Sequence, residues 1–140
     1  AVLRKITPVY RTDRSGNTEI IDYYVCFTRV VDGCEVLGKR GDGIGILVGS
    51  EGVESCMKIW RKIESSGSRG IQKLLPPQQA LENAKADIMK KDSSNIFAWT
   101  LGYYSPDFDE KASVEMKPCY HFYTASGAIF HVDAVTGVLL

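Results

Sequence analysis

The sequence predicts an α+β fold: an antiparallel sheet, or two, with one main helix packed on one face. Three observations predict it. Apolar and β-branched residues alternate with period two in short runs separated by glycine-bearing turns, the pattern of antiparallel strands. One stretch, from Pro76 to Lys91, carries apolar residues at helical spacing instead. The order is strands, that helix, then strands again, which sends the helix to one side of the sheet.

The closing stretch, Pro118 to Leu140, organises the rest. Tyr120, Phe122 and Thr124 alternate with Cys119, His121 and Tyr123, so this strand has two different faces. Ala125-Ser126-Gly127 is a short loop with glycine where a hairpin needs positive φ. Ala128 to Asp133 returns, Asp133 to Gly137 turns, and Val138 to Leu140 runs on as an apolar edge. A lone hairpin is marginal in water, so the remainder of the chain must cover it.

Before it, residues 5–12 suit a short edge strand, with Pro8 at a position that an edge tolerates. Ile20 to Val31 is a strong strand, turned at Asp32-Gly33 into Cys34 to Leu37. A glycine-rich loop at 38–43 leads to a strand over Ile44 to Val48, a turn at Ser50-Glu51-Gly52, and a return over Val53 to Trp60. Glu64 to Gly70 reads as a linker. In the helix, prolines suit the first turn, and Ala80, Leu81, Ala84 and Ile88 form the apolar face. Ile96 to Tyr104 is a strand whose Phe97, Trp99, Leu101 and Tyr103 share a face, and the helix is expected to lie on it. The division expected is an N-terminal β-meander over 1–66 and a helix with antiparallel strands over 67–140.

Two stretches resemble a known family. Val132, Asp133, Ala134, Thr136, Gly137 and Val138 are similar to the closing turn of PepSY-type domains. Phe27, Arg29, Asp32, Gly33, Val36, Gly38, Ile44, Ile46, Val48 and Gly52 resemble segments of PepSY-like and YcdB/YcdC-type proteins; Cys34 and the longer loop at 38–43 depart from them. A similar two-part layout occurs in YycI-type regulators of sensor kinases. The resemblance implies an extracytoplasmic, cell-envelope setting, secreted or membrane-anchored through a missing N-terminal segment. It also implies a PepSY-like unit around the helix; the order of strands and helix leaves one continuous cystatin-like sheet wrapped on the same helix as the alternative.

Composition narrows function. Seventeen basic and 17 acidic residues cancel, which leaves no electrostatic footprint for nucleic acid. No apolar run is long enough to span a membrane. The glycines from Gly38 to Gly49 lead into no helix, so a hairpin loop is preferred to a phosphate loop, and Arg40-Gly41-Asp42 is too short a match to carry adhesion. The four cysteines lack any C-x-x-C spacing; they read as buried thiols or, in an oxidising compartment, as a bridge between Cys34 and Cys56. Such a bridge would stabilise by roughly 3 kcal/mol.

Counting back from the loop at 125–127, His121 falls opposite His131 and Cys119 opposite Asp133. The two imidazoles could share Zn²⁺ or Cu²⁺, with Cys119 or Asp133 as a third ligand. The plainer reading, a histidine pair stacked across the sheet, is preferred, and no cofactor is expected. No catalytic motif is present, and with the PepSY-type resemblance this gives the expectation of a non-catalytic binding or regulatory module, which the resemblance implies to be protease-inhibitory or sensor-regulating in type. Its partner would be another protein, the rest of its precursor or a second copy. Its contact surface would be the face of the last hairpin turned from the helix, with His121, Tyr123, Ile129 and His131, together with Tyr104. The alternative is a small-molecule or metal-binding domain using a cystatin-like concavity.

Overall fold

In the computed structural model, which describes residues 1–38, 42–63, 73–106 and 115–140, eight strands and one helix are laid out. They are β1 (Val2–Thr12), β2 (Thr18–Val31), β3 (Cys34–Leu37), β4 (Gly43–Gly49), β5 (Gly52–Ile59), α1 (Pro77–Lys91), β6 (Ile96–Tyr104), β7 (Lys117–Thr124) and β8 (Ile129–Asp133). The strands join in one sheet with the order β5-β4-β2-β3-β6-β7-β8, and β1 pairs with β2 beside that path.

The long strand β2 is the branch point. Thr18 to Thr28 pair with β1 on one edge, while Tyr23 to Thr28 pair with β4 on the other. Its last three residues turn through Asp32 and Gly33, both at positive φ, into β3. β3 then pairs with β6 in parallel, Val36 opposite Tyr103, so the N-terminal and C-terminal strands share the sheet. Val36 and Leu37 are buried at this junction, and Thr28 Oγ1 donates to the Val36 carbonyl at 3.0 Å.

The expectation of an α+β fold is overturned. The chain is mainly β, its sheet is mixed rather than antiparallel, and α1 is a local cover and not the main layer. The PepSY-like and cystatin-like layouts fall with it. A helix with its side chains is about 10 Å across. Strands repeat about every 4.8 Å, so one helix roofs about two of them. Here the two are β7 and β8: Ala80, Ala84 and Ile88 pack with Tyr120, Phe122, Val132 and Ala134 in the buried core. The helix bounds and apolar face follow the periodicity, and Pro77 starts the helix without a side-chain cap. Its position is what differs. Trp99 and Leu101 stand opposite Phe122 and Tyr120 on the helix side, but one strand beyond its reach, and both are exposed. Phe97 falls at a register shift and is 72% exposed.

Polar ties hold the parts. The Leu75 amide donates to the Ala134 carbonyl and the Tyr120 hydroxyl to the Leu75 carbonyl, both at 2.8 Å, fixing the start of α1 to the sheet. At its end, Asp92 accepts from Ser126 Oγ, Thr124 Oγ1 and the Ser94 amide. These donors hold the Asp92 carboxyl well below the usual carboxylate range. Across the sheet, buried Asp42 binds two guanidiniums: Arg61 Nε at 3.0 Å and Arg29 Nη1 at 3.7 Å. Arg61 also donates to Ser105 Oγ just after β6, and the Arg29 guanidinium lies over the Trp60 ring. This cluster clamps β2 and the start of β4 to the end of β6. It also commits the Asp42 carboxylate, which withdraws it from any adhesion tripeptide. The expected linker at 64–70 and much of the loop at 105–117 lie outside the described residues.

Candidate functional site

The sequence brings two imidazoles opposite each other, because the hairpin register places them there. Gly127 takes positive φ, the Thr124 amide donates to the Ala128 carbonyl at 3.0 Å, and the ladder then sets His121 opposite His131 and Cys119 opposite Asp133. The histidine Nδ1 atoms lie 2.8 Å apart, with ring centroids separated by 5.0 Å in an edge-to-face arrangement. Cys119 Sγ is 3.8 Å from His121 Nδ1, and a ligand atom from each of the three residues falls within 4.8 Å of the others. Tyr104 closes one side, its ring centroid 5.3 Å from that of His131.

The helix takes Phe122, Phe130 and Val132, as the more apolar face requires. The opposite face is nevertheless not an outward patch. Cys119 and His121 are both 0% exposed, while Tyr123, Ile129, His131 and Tyr104 are half-buried. That removes His121 from any contact surface.

Burial sets the protonation of the site. It pushes the Cys119 thiol up to about 12, assisted by the nearby Asp133 charge and opposed by the Val132 backbone. His121 is driven down to about 3, first by burial, then by His131 and by Arg4. His131 falls to about 4, again by burial first and Arg4 second. Both imidazoles are therefore neutral at pH 7, and one donates its Nδ1 proton to the other. His121 Nε2 is buried and makes no full hydrogen bond, although it faces the Glu35 carbonyl of β3 closely enough to be favoured slightly as a donor. Gly102 of β6 makes room for that approach. A Cβ there would lie 2.4 Å from the Glu35 carbonyl oxygen and 2.6 Å from His121 Nε2.

Arg4, Glu35 and Gly102 complete this site, and none is marked by the sequence. They come from β1, β3 and β6, and only the parallel β3–β6 pairing collects the last two. Cys34 and Cys56 are not brought together: they stand on β3 and β5, with β2 and β4 between in the sheet, and all four cysteines are free thiols. The expected bridge is thereby corrected. A shallow concavity lined by Arg11, Asp13, Asn17, Thr18 and Glu19 lies at the β1–β2 turn, away from the histidines.

A second surface lies on β1, β2, β4 and β5. Register places Leu3, Ile6, Tyr23, Val25, Phe27, Ile44, Ile46, Val48 and Val53 on one face of these four strands, with Cys56 and Lys58 on the same face along the β5 edge. None of the nine is fully buried, and Leu3, Ile6, Tyr23 and Val53 are exposed. No helix among the described residues is long and apolar enough to cross a membrane. No protein-family model matches the chain, and no curated protein matches it.

Proposed function

We propose that this chain is a non-catalytic protein-binding module whose contact surface is the apolar face of β1, β2, β4 and β5. The observation that carries this reading is the unroofed sheet face itself. A contiguous apolar face of this kind on a sheet is stabilised when a second apolar surface removes it from water. The helix serves only the far end of the sheet. The face, rather than an edge, is the docking element. β1 offers an unpaired edge, but Pro8 withholds a backbone donor there and Arg4, Lys5 and Arg11 charge it, the usual guards against strand addition.

The occupant that fits is a second copy of the chain, packed face to face as in a β-sandwich. The face is self-complementary in its apolar character, and a formal net charge of zero sets up no overall repulsion between copies.

Sedimentation of the full chain under reducing conditions tests this. A concentration-dependent dimer is expected, lost in Tyr23→Asp and in Ile6→Asp while the thermal melt stays in place. A monomer at every concentration overturns self-docking. Robust turnover in a hydrolase screen, abolished on substituting His121, overturns the non-catalytic reading.

A further inference from the structure

We propose that Cys119, His121 and His131 bind one divalent transition-metal ion of borderline softness, with Zn²⁺ the natural occupant. One thiolate and two imidazoles form a set suited to zinc or copper, and not to Ca²⁺ or Mg²⁺, which take oxygen ligands.

The geometry is close to what such an ion needs. Zinc bonds of about 2.0–2.1 Å to nitrogen and about 2.3 Å to sulfur put tetrahedral N–N and N–S edges near about 3.3 and 3.5 Å. The observed separations are 2.8 Å between the Nδ1 atoms and 3.8 Å between Nδ1 and Sγ. The nitrogens must part by about half an ångström, and the sulfur must close by less toward His121. The edge from Cys119 to His131, within 4.8 Å, closes by up to about 1.3 Å, the largest adjustment the ion asks for. His131 is half-buried, so its ring is the part of the cluster open to solvent, whereas Cys119 and His121 are closed off. A water completes the tetrahedron.

The surroundings orient the ligands. An imidazole that binds metal through Nδ1 carries its proton on Nε2 and gives it to a carbonyl or carboxylate. His121 Nε2 is a buried nitrogen without a full partner, and it faces the Glu35 carbonyl. Gly102, which leaves space for this approach, is part of the same arrangement. Asp133, opposite Cys119, places a carboxylate near the thiolate side of the ion.

The proton balance is definite. The ion replaces the proton shared between the two Nδ1 atoms, which passes to the Nε2 of the same ring. The Cys119 thiol loses its proton to solvent. One proton is released per ion bound, and the centre carries a net charge of +1 beside the exposed Arg4 cation.

Co²⁺ titration of the full chain, with a non-thiol reductant, tests the proposal. The expected result is one equivalent bound, with a thiolate-to-cobalt charge-transfer band in the near ultraviolet and the intense visible bands of tetrahedral cobalt. Zn²⁺ should bleach both. Cys119→Ser should remove the charge-transfer band, and His131→Gln should weaken binding by at least about ten-fold, the smallest effect known for lesser, outer-shell changes. Cys56→Ser, at an exposed and distant thiol, should change neither. If Cys119→Ser fails to fold by circular dichroism, Arg4→Gln remains decisive. Arg4 is exposed, so its loss spares the fold, and removing its charge should tighten cobalt binding by about a few-fold. A wild-type titration with no charge-transfer band overturns the proposal, as does a band that survives in folded Cys119→Ser or affinity unmoved by both His131→Gln and Arg4→Gln.

Discussion

Gly102 shows how a single residue holds the buried site together. Its place requires no unusual backbone angle; what matters is the space that a side chain would fill. The nearest obstacle to a Cβ is the Glu35 carbonyl, a backbone atom that cannot swing away. Gly102→Ala should therefore destabilise the chain by about 1–3 kcal/mol, the usual cost of overpacking, measured by urea unfolding. The histidine pair makes a second prediction at this scale, for the metal-free chain. Folded, His131 and His121 accept protons only near pH 4 and 3; unfolded, they titrate near 6.5. Below about 6.5 the unfolded chain binds protons that the fold refuses, so stability is full above that value and falls as pH drops. The slope is at most about 1.4 kcal/mol per pH unit for each histidine, and smaller for His131, whose ring is partly screened by water. Arg4, Cys119, Asp133, Glu35 and Tyr104 face the pair. Urea unfolding at pH 7 and pH 5 should separate clearly, and equal midpoints would contradict the assignment.

Among the elements, α1 depends on both of its ends. It lacks a side-chain N-cap, so the Leu75 and Tyr120 hydrogen bonds carry its start, and Asp92 carries its end. Tyr120→Phe, which removes the bond to the Leu75 carbonyl and keeps the ring, should cost about 1 kcal/mol in chemical unfolding. Asp92→Ala should lower the melting temperature at pH 7, because it releases the Thr124 and Ser126 hydroxyls of the β7–β8 turn. Its carboxyl is held below its ordinary value near 3.8, so its contribution is present above that value and lost as pH falls further. The wild-type and Asp92→Ala melts should thus converge in strong acid, in a lower window than the histidine effect. Melts that stay equally far apart at pH 7 and pH 2 would contradict this.

At the scale of the whole molecule, the weak point is the join between the two groups of strands. β3 supplies only four residues to it, and its pairing with β6 runs through Val36 and Leu37. The Asp42 cluster reinforces that narrow neck from the side. Asp42→Ala leaves two largely buried guanidiniums without their anion and should destabilise by about 3–5 kcal/mol in equilibrium denaturation. Replacing Asp42, Arg29 and Arg61 together with apolar residues of similar volume should cost much less. Equal losses in the single and triple variants would mean that packing, and not charge, governs the neck.

Periodicity and turn chemistry are local properties, and they fixed the elements from sequence alone. The strand over Ile96 to Tyr104, the helix face of Ala80, Ala84 and Ile88, and the turns at Asp32-Gly33 and Ala125–Gly127 all follow from them. So does the pairing of His121 with His131, because a short hairpin has one register once its turn is set. The resemblance in residues 27–52 and 132–138 pointed to a helix-covered sheet, and the fold departs from it. Local pattern carries no information about which distant strands meet. The parallel β3–β6 pairing, the placing of α1 over β7 and β8, the burial of Cys119 and His121 and the separation of Cys34 from Cys56 were decided by tertiary structure. The physical reason is one of width: one helix roofs about two strands, so in a sheet this broad the position of the helix decides which apolar faces become core and which stay open.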